Sequence, residues 1–534
     1  MSIRQIIYPA VMTAALSVAP IIGAADRGVS DSIPSGLASG AVVRGWMEDG
    51  VEMTFRREAV SDNPAAMSSK SPFSATRIGL EGEISDTGHT LPAEIGEGVM
   101  SGSVVAESYR HLGSATTVWG HARFNAGKIK DVEWNNSADY ELVGPYVIGD
   151  PVGGDLTGRS YDFGGGYAGM SGRWMWGVAA SYRAAIDYRG RDPRDKIIVS
   201  DLNASAGGGF RPGNSPLAVG LSGSVRVYNQ NAAIEFYNPV NDIPTYAMTG
   251  LGTYYPRFSG NSGRNTAYSG VGFGLSASLF PVGSRLSLPV RGGIDVSRIR
   301  LRQYMRDFNN LELTHTSTTS VSGEYAMLMG DVNEAACALT YGFELRGEYR
   351  VKTGTENLLG SSTGNNYPKI GERDNYRKAL FNAGLTVPLE MRFSANDRAG
   401  VSAGVSFGSV SERVTEPSRK VSASGITPTI GGKWGHRFHG GSFLTIRADF
   451  SRRFTSVGTV SLSALDSDTS LGDAVMRDIA LLTSDVTSYG MEARVEVPLV
   501  DSAALYVRAQ WRREDFARRC GSADYATLSV GIHL

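Results

Sequence analysis

The sequence has little of what organises most metal-dependent and nucleic-acid-binding proteins. Its 534 residues include two cysteines and seven histidines, and the formal net charge is −1. Cys337 and Cys520 cannot supply a disulfide scaffold, and whether they pair is open. A near-neutral chain lacks the basic footprint that nucleic acid requires, and no cysteine or histidine pair has metal-site spacing. The sequence therefore predicts no metal, no cofactor and no nucleic-acid partner.

Long apolar runs are also scarce. The one candidate lies near the N-terminus, from Ile6 to Ile22, after Arg4 and before the small residues at 23–25. This pattern is typical of a secretory signal peptide, which predicts that residues 1–25 are removed on export. An uncleaved membrane anchor is the alternative, although Pro9 and Pro20 interrupt the run. No later run reaches the ~18 residues of a membrane helix, so the exported chain is either soluble or inserted in a membrane as strands.

What the chain has in abundance is glycine, 66 residues in all, and a period-two pattern. Across Arg173–Tyr188 the even positions are mainly apolar, with tryptophans at one end and Tyr188 at the other, while the odd positions are small or charged. A period of two indicates a strand. Sixteen residues at ~3.3 Å each give about 50 Å, which is long for a soluble strand and suits a tilted membrane strand with aromatic girdles.

The same alternation returns along the chain, with short connections at one set of turns and long ones at the other. The long polar connections fall near residues 127–156, 231–262, 303–312, 353–375 and 458–485. This arrangement predicts an all-β fold, a transmembrane antiparallel β-barrel of about 16–18 strands over residues 73–534. Residues 26–72 fit the pattern poorly and are predicted to form an N-terminal periplasmic or plug segment. A soluble all-β fold is the alternative, but it would not explain why charged positions repeatedly oppose an apolar face that has aromatics at its ends.

Two motifs that suggest enzymes are better explained by strands. Gly164-x-Gly166-x-x-Gly169 has the spacing of a dinucleotide-binding loop, but a strand follows it and no helix is available to cap a pyrophosphate. Gly-x-Ser-x-Gly occurs at Ser402 and Ser406 within an alternating stretch, without the strand-to-helix elbow that a nucleophile needs. No acid and base pair stands out, so we expect no enzyme activity.

Two stretches resemble known barrel families. The segment DNPAAMS (62–68), which contains Asn63, Pro64 and Ala65, resembles the Asn-Pro-Ala element in the N-terminal hatch of long-chain fatty-acid transporters. Most of the remaining chain, including EWNNSADYELVGPYVIGD and YAMTGLGTYYPRF, resembles an uncharacterised outer-membrane β-barrel family of Bacteroidota. The second resemblance implies an outer-membrane location and, from the genes that often neighbour this family, a TonB-dependent receptor as partner.

The inward-facing charges are the candidate functional residues. In the predicted barrel they project into the lumen, where they either line a solute path or fill the space as ion pairs. They are Arg183, Asp187, Arg226, Glu344, Arg346, Arg447, Asp449, Arg494 and Arg508.

Two functions follow as hypotheses. The first is an outer-membrane barrel that moves a small solute or helps its uptake, gated by its N-terminal segment; the resemblance to the fatty-acid transporters implies an apolar ligand. The second is a non-transporting accessory or scaffold barrel that partners a TonB-dependent receptor or surface lipoprotein through its long loops. Outer-membrane lipids are expected as partners in both cases.

Overall fold

The computed structural model describes residues 45–46, 63–70, 73–238, 240, 243–261, 263–282, 290–305, 308–334, 337–361, 368–500, 502–517 and 520–534. The predicted signal peptide (1–25) and most of the predicted plug segment (26–72) lie outside these ranges, so the domain boundaries stay predictions. Within the described ranges, no helix has the length and apolarity needed to cross a membrane.

The described residues contain two α-helices, α1 (Tyr140–Val143) and α2 (Ser470–Leu482), and short 3-10 helices at Pro64–Ser69, Gly88–Thr90 and Pro256–Phe258. The strands are β1 Ala75–Asp86, β2 Gly98–His111, β3 Thr116–Lys130, β4 Ile148–Gly149, β5 Leu156–Ser171, β6 Trp174–Arg189, β7 Arg194–Phe210, β8 Leu217–Glu235, β9 Tyr246–Gly250, β10 Thr253–Tyr254, β11 Arg264–Pro281, β12 Val290–Met305, β13 Phe308–Glu334, β14 Cys337–Leu359, β15 Lys369–Arg392, β16 Asp397–Val414, β17 Arg419–Arg437, β18 Phe443–Leu462, β19 Val486–Val500, β20 Ala503–Phe516 and β21 Gly521–His533.

Eighteen of the described strands form one closed antiparallel barrel, and β4, β9 and β10 form a separate small sheet. Each barrel strand pairs with its neighbour in chain order, and the barrel closes where β1 pairs with β21, with Gly79 opposite Gly531. Closure satisfies the backbone hydrogen bonds of both edge strands, which no open sheet can do inside a lipid bilayer. The predicted barrel class and strand number are confirmed.

The barrel is apolar on its outside. On β8 the side chains of Val219 and Leu221 are exposed, while Ser222 and Tyr228 on the opposite face are buried. On β6 the aromatics at the two ends, Trp174 and Tyr188, are likewise exposed. Exposed apolar residues outside and polar residues inside invert the arrangement of a soluble protein and define a membrane-spanning barrel.

The two ends of the barrel differ in the length of the connections between strands, and we call them the turn end and the loop end. The turn end carries the connections 112–115, 172–173, 211–216, 282–289, 335–336, 393–396, 438–442 and 501–502, together with the start of β1 and the end of β21. The loop end carries the long connections 87–97, 131–155, 236–263, 360–368 and 463–485, besides four short ones. The predicted long connection at 303–312 is wrong, because β12 runs to Met305 and β13 starts at Phe308, and these two residues pair with each other. Threonine and serine dominate this part of β13, and threonine is well suited to a strand.

Three sequence-level questions are resolved by strand position. Gly164, Gly166 and Gly169 lie inside β5, and Ser402 and Ser406 lie inside β16, so neither motif forms the loop that its chemistry needs. Cys337 starts β14 at the turn end, whereas Cys520 precedes β21 at the loop end. A disulfide requires Cα atoms within about 7 Å, so the two cysteines of one chain do not pair.

The outward apolar face yields a test of orientation. Val405 on β16 is exposed between Leu385 and Pro428, whereas its neighbour Ser406 faces the lumen. We expect Val405→Arg to destabilise the barrel in liposomes by ~2–4 kcal/mol, as for arginine on the lipid face near the bilayer midplane. Urea unfolding followed by gel mobility measures this. Ser406→Arg is the control, and an equal loss in both variants would contradict the assigned faces.

Candidate functional site: the lumen and its two closures

The loop between β3 and β5, residues 131–155, folds into the loop end of the barrel, and we call it the loop plug. Its side chains Trp134, Val143 and Tyr146 are almost completely buried, with exposures of 3%, 1% and 1%. They share one apolar cluster with lumen-face residues of several strands, among them Ile197 on β7 and Tyr376 on β15. The loop plug therefore reaches from β3 across the lumen to the opposite wall.

Two arginines of β6 fasten the loop plug to the wall. Arg183 donates to both carboxylate oxygens of Asp139, at 3.1 and 2.5 Å, and Asp139 also accepts the Tyr228 hydroxyl at 2.8 Å. Arg189 donates to Asp150 Oδ2 at 2.8 Å and to Asp195 on β7. The Arg189 and Asp150 side chains are only 2% and 4% exposed. Removing one partner of such a buried pair typically costs about 3–5 kcal/mol.

A third contact comes from the other side of the barrel. Lys352 on β14 points at the end of α1, where its Nζ donates to the carbonyl oxygens of Leu142 at 2.8 Å and Gly144. The last carbonyls of a helix lack partners within the helix, and a cation at that end is favourable. Lys352 thus supplies hydrogen bonds to carbonyl oxygens at the end of the short helix.

Helix α2 and the β1–β2 connection cover the loop plug. Buried Val475, Ile479 and Leu481 anchor α2 to the lumen side of the barrel. Between these layers lie Glu94, which accepts the Tyr140 hydroxyl at 2.9 Å, and Asp478, whose Oδ1 is buried without a hydrogen bond in the described part of the chain. Burial raises the pKa of Asp478 well above its ordinary value, and the facing Glu94 carboxylate raises this pKa further. Burial also raises the pKa of Glu94.

A second insertion closes part of the turn end, and we call Asn63–Ser69 the N-terminal anchor. Asn63 Nδ2 donates to the Gly208 carbonyl at 3.3 Å, and its Oδ1 accepts the Ala65 amide at 3.0 Å. The Tyr109 hydroxyl donates to the Met67 carbonyl at 2.6 Å. Ala65 and Ala66 have no exposed surface. The Asn-Pro-Ala element is therefore buried inside the barrel.

Glycines of the wall make room for this anchor. A Cβ at Gly177 of β6 would lie 2.4 Å from the Pro64 carbonyl, and one at Gly207 of β7 would lie 2.0 Å from Asn63 Oδ1. A Cβ at Gly220 of β8 would lie 2.4 Å from Asn63 Nδ2. Contacts this short do not occur with real side chains. The three glycines form a socket that accepts the anchor only because they lack side chains.

Trp46 contacts the wall on the other side. Its indole lies under the Arg398 guanidinium, with 3.7 Å from Cζ to the ring centre, and packs edge-on against Phe443. Arg398 also donates to the Trp46 carbonyl at 2.9 Å. Following the strand order, the Trp46 site (β16–β20) lies about half-way around the barrel from the glycine socket (β6–β8). The N-terminal segment is thus attached at two opposed points of the turn end.

Seven of the nine predicted lumen charges lie in ion pairs. Besides Arg183, Arg226 donates twice to Asp201, at 2.8 and 2.7 Å, and Arg346 pairs with Glu344 along β14. Glu492 receives both Arg447 at 3.3 Å and Arg508 at 2.7 Å, and Arg494 pairs with Glu496. A cavity of about 50 Å³ beside Arg508 has room for a few water molecules. The wall around β18–β21 is therefore a ladder of arginines and carboxylates.

The other two charges stand apart. Neither Asp187 on β6 nor Asp449 on β18 makes an ion pair within the described ranges. Asp187 lies close to Gly158, and Asp449 lies against Gly490 with its side chain exposed to the lumen. Among described residues no three histidine, cysteine or acidic side chains converge as a metal site would require.

Sequence reasoning missed the partners that come from loops, namely Asp139, Asp150, Glu94 and Asp478. A signal for the first two was present. The segment YELVGPYVIGD (140–150) has an apolar run that an exposed polar loop would not carry, and acidic residues bracket it. An apolar run inside a long connection indicates a loop that folds back and buries itself.

Taken together, the geometry defines a membrane-spanning β-barrel whose lumen is entered by its own segments from both ends. The chain belongs to the family of unknown function DUF6850, whose model matches residues 64–534. Among curated proteins no match is found.

Solved structures of other barrels are similar over most of the chain. The ferric preacinetobactin receptor BauA from Acinetobacter baumannii is 11% identical, covering 86% of this chain and 79% of its own, with a TM-score of 0.38. The unliganded ferric citrate transporter FecA is 12% identical over 86% and 78%, with a TM-score of 0.36. A Pseudomonas aeruginosa FadL homologue is 12% identical over 89% and 93%, with a TM-score of 0.30. Likenesses this distant transfer no activity to the chain.

The glycine socket can be tested directly. Gly207→Val places a side chain where Asn63 lies, so we expect the N-terminal anchor to leave the wall and Met67, now 8% exposed, to become accessible. With Cys337 and Cys520 replaced by serine and Met67 by cysteine, the rate of maleimide labelling should rise at least about tenfold. Gly82→Val is the control, since no atom lies within 4 Å of its Cβ position. Unchanged labelling in Gly207→Val would contradict the socket.

The raised pKa values of Glu94 and Asp478 predict a pH dependence. A carboxyl with a raised pKa in the folded protein keeps a proton that the unfolded chain has lost. Stability therefore falls as pH rises from the ordinary values of 4.5 and 3.8 towards the raised ones. We expect hydrogen exchange of α2 to accelerate between pH 5 and pH 8, after correction for intrinsic rates. Asp478→Asn should flatten this pH trend, whereas Asp473→Asn, in the exposed first turn of α2, should not. Equal slopes in the unaltered barrel and both variants would contradict a role of the Glu94 and Asp478 pair.

Proposed function

We propose that this chain is an exported, gated outer-membrane barrel that moves a small polar solute across the membrane or helps its uptake. The loop plug is its gate at the loop end, and the N-terminal segment is its gate at the turn end. The proposal includes cleavage of the signal peptide, the outer membrane as location and the affiliation with barrels of Bacteroidota.

The observation that carries the proposal is how the lumen is closed. Barrels of 16–18 strands are wide enough to leave an aqueous channel, which wall side chains alone do not fill. Here the blocking elements are separate segments, the loop plug and the N-terminal anchor. They are held by discrete contacts such as Arg183–Asp139, Arg189–Asp150 and Asn63–Gly208. Segments attached in this way can leave without unfolding the barrel.

The chemistry of the wall favours a polar solute over an apolar one. The ladder around Glu492, Glu496, Arg494 and Arg508 presents hydrogen-bonding groups and charges of both signs. A fatty-acid-like ligand would leave these groups unsatisfied, which is costly. The similarity of the Asn-Pro-Ala element to fatty-acid transporters is thus assigned to the closure and not to the cargo.

A second candidate is an accessory barrel that partners a TonB-dependent receptor or surface lipoprotein. It is favoured by exposed apolar side chains at the loop end, where Tyr237 and Val240 are 78% and 83% exposed and Ile370 is 72% exposed. Exposed aromatic and aliphatic side chains of this kind suit a protein partner.

Conductance separates the two candidates. Arg183→Ala with Arg189→Ala leaves Asp139 and Asp150 without their cations, which costs several kcal/mol of plug attachment. We expect at least about tenfold more open-pore events in planar bilayers, and faster swelling of liposomes in small sugars, than for the unaltered barrel. Lys128→Ala is the control, because its pair with Asp155 is exposed at the rim of the same loop (44% and 45%).

A folded double variant that stays closed, with a receptor or lipoprotein retained through Tyr237 and Val240, would overturn transport and support the accessory barrel. Gel mobility of the unheated protein reports whether the double variant has folded.

A further inference from the structure

Three cationic side chains lie next to one another on the outside of the barrel. Arg377 on β15 is the register partner of Arg413 on β16, and Arg413 is the partner of Lys420 on β17. All three are exposed. Directly paired residues have Cβ atoms about 4.5–5.5 Å apart. We call these residues the cationic row.

Strand alternation fixes their outward direction. Arg377 lies four residues before Phe381, and Arg413 lies six residues after Phe407. Both phenylalanines are exposed on the lipid-facing side, at 41% and 39%. The register from β15 through β17 is continuous here, so Lys420 shares the face of Arg413. The row lies towards the loop end, near the β16–β17 hairpin.

The polar chain neighbours of Arg377 and Arg413 face the lumen and are, by contrast, paired with opposite charges or hydrogen-bonded. Lys378 Nζ lies 2.9 Å from Glu412 Oε2, and the Tyr376 hydroxyl donates to the other oxygen of Glu412 at 3.0 Å. The closest acidic residue of the hairpin, Glu416, pairs with Arg373. In the described part of the chain, no carboxylate lies within ion-pairing distance of Arg377, Arg413 or Lys420. Like charges directly opposite each other are destabilising, so the row is complete only with an external anion.

The surface beside the row fits the rest of a lipid. One step towards the turn end the outward residues are small, Ala379, Ser411 and Ser422. Two steps beyond these small residues, Phe407 and Ile426 begin the apolar surface. The ring centres of Phe381 and Phe407 are 6.1 Å apart. Each step is two residues, about 6.6 Å along the strand. Along the strands, cationic side chains are followed by small side chains and then by apolar ones. A lipid has the same order of parts, with a phosphate, then a headgroup backbone, then acyl chains.

We propose that the cationic row binds the phosphate group of a membrane lipid whose acyl chains lie against Phe381, Phe407 and Ile426. Arginine suits this role because its planar guanidinium contacts two phosphate oxygens at once. The position of the row directly above the lipid-facing surface selects a lipid over a free anion. The site depends on the membrane-spanning fold and is independent of transport.

The test uses the whole barrel in neutral detergent, with diphosphorylated lipid A as the probe. Arg377→Ser, Arg413→Ser and Lys420→Ser are combined in one variant. Arg159→Ser is the matched control, an exposed outward arginine whose register partners are Ala126 and Ile186. Lipid retention is read by native mass spectrometry, and the melting temperature is measured with and without lipid.

We expect lipid A to raise the melting temperature of the unaltered barrel and of Arg159→Ser, and not that of the triple variant. The triple variant should retain at least tenfold less lipid. Without lipid it should melt at the same temperature as the unaltered barrel or higher, because it has lost the repulsion between like charges. A purely structural role predicts the opposite.

Three outcomes would overturn the proposal. The first is equal retention of lipid A by the triple variant and the control. The second is the same stabilisation by dephosphorylated lipid A, which would show acyl-chain contact alone. The third is full competition by inorganic phosphate, which would show a free-anion site.

Discussion

The width of the closed sheet is the constraint on which the rest of the structure depends. Eighteen antiparallel strands have no free edge, so every strand can sit in lipid with its backbone hydrogen bonds satisfied. The same closure produces a lumen too wide for wall side chains to fill. The chain supplies the filling from outside the barrel strands, with the loop plug at one end and the N-terminal anchor at the other. The contacts of Asp139, Asp150 and Asn63 follow from fitting these segments to a polar wall, and the remaining lumen ion pairs join one wall strand to another or lie within a strand.

The two closures use different physics. The loop plug has an apolar cluster of its own, around Trp134 and Tyr146, and ion pairs at its border determine where that cluster sits. The N-terminal anchor buries Asn63, Pro64, two alanines and Met67, and its position depends on the shape of the glycine socket. The loop plug therefore rests on a core with buried ion pairs, whereas the N-terminal anchor rests on shape and on hydrogen bonds from Asn63 and Tyr109.

The sequence was sufficient to predict whichever features depend on alternation along one strand. The outward set of β6 and the inward direction of Arg183, Arg226 and Arg508 follow from a period of two, which the lipid enforces at every step. The partners Asp139 and Asp150 could not be predicted, because their positions depend on how a 25-residue connection folds back into the mouth. The extent of β13 was missed for a related reason. Its serine and threonine residues resemble a loop by polarity, although threonine also favours strands.

Charge is handled differently on the two faces of the wall, and the difference has a physical reason. In the lumen, arginines such as Arg447 and Arg508 share a carboxylate, because a crowded interior makes an isolated charge expensive. On the outside, Arg377, Arg413 and Lys420 stand together without any carboxylate between them. Water screens such a row only in part, and the phosphates of a bilayer surface neutralise it at short range. Most of the inner charges considered are paired with an opposite charge, whereas the three adjacent outer cations have no carboxylate partner among the described residues. On the proposal that the cationic row binds a lipid phosphate, the membrane is a component of the site as well as the solvent around the barrel.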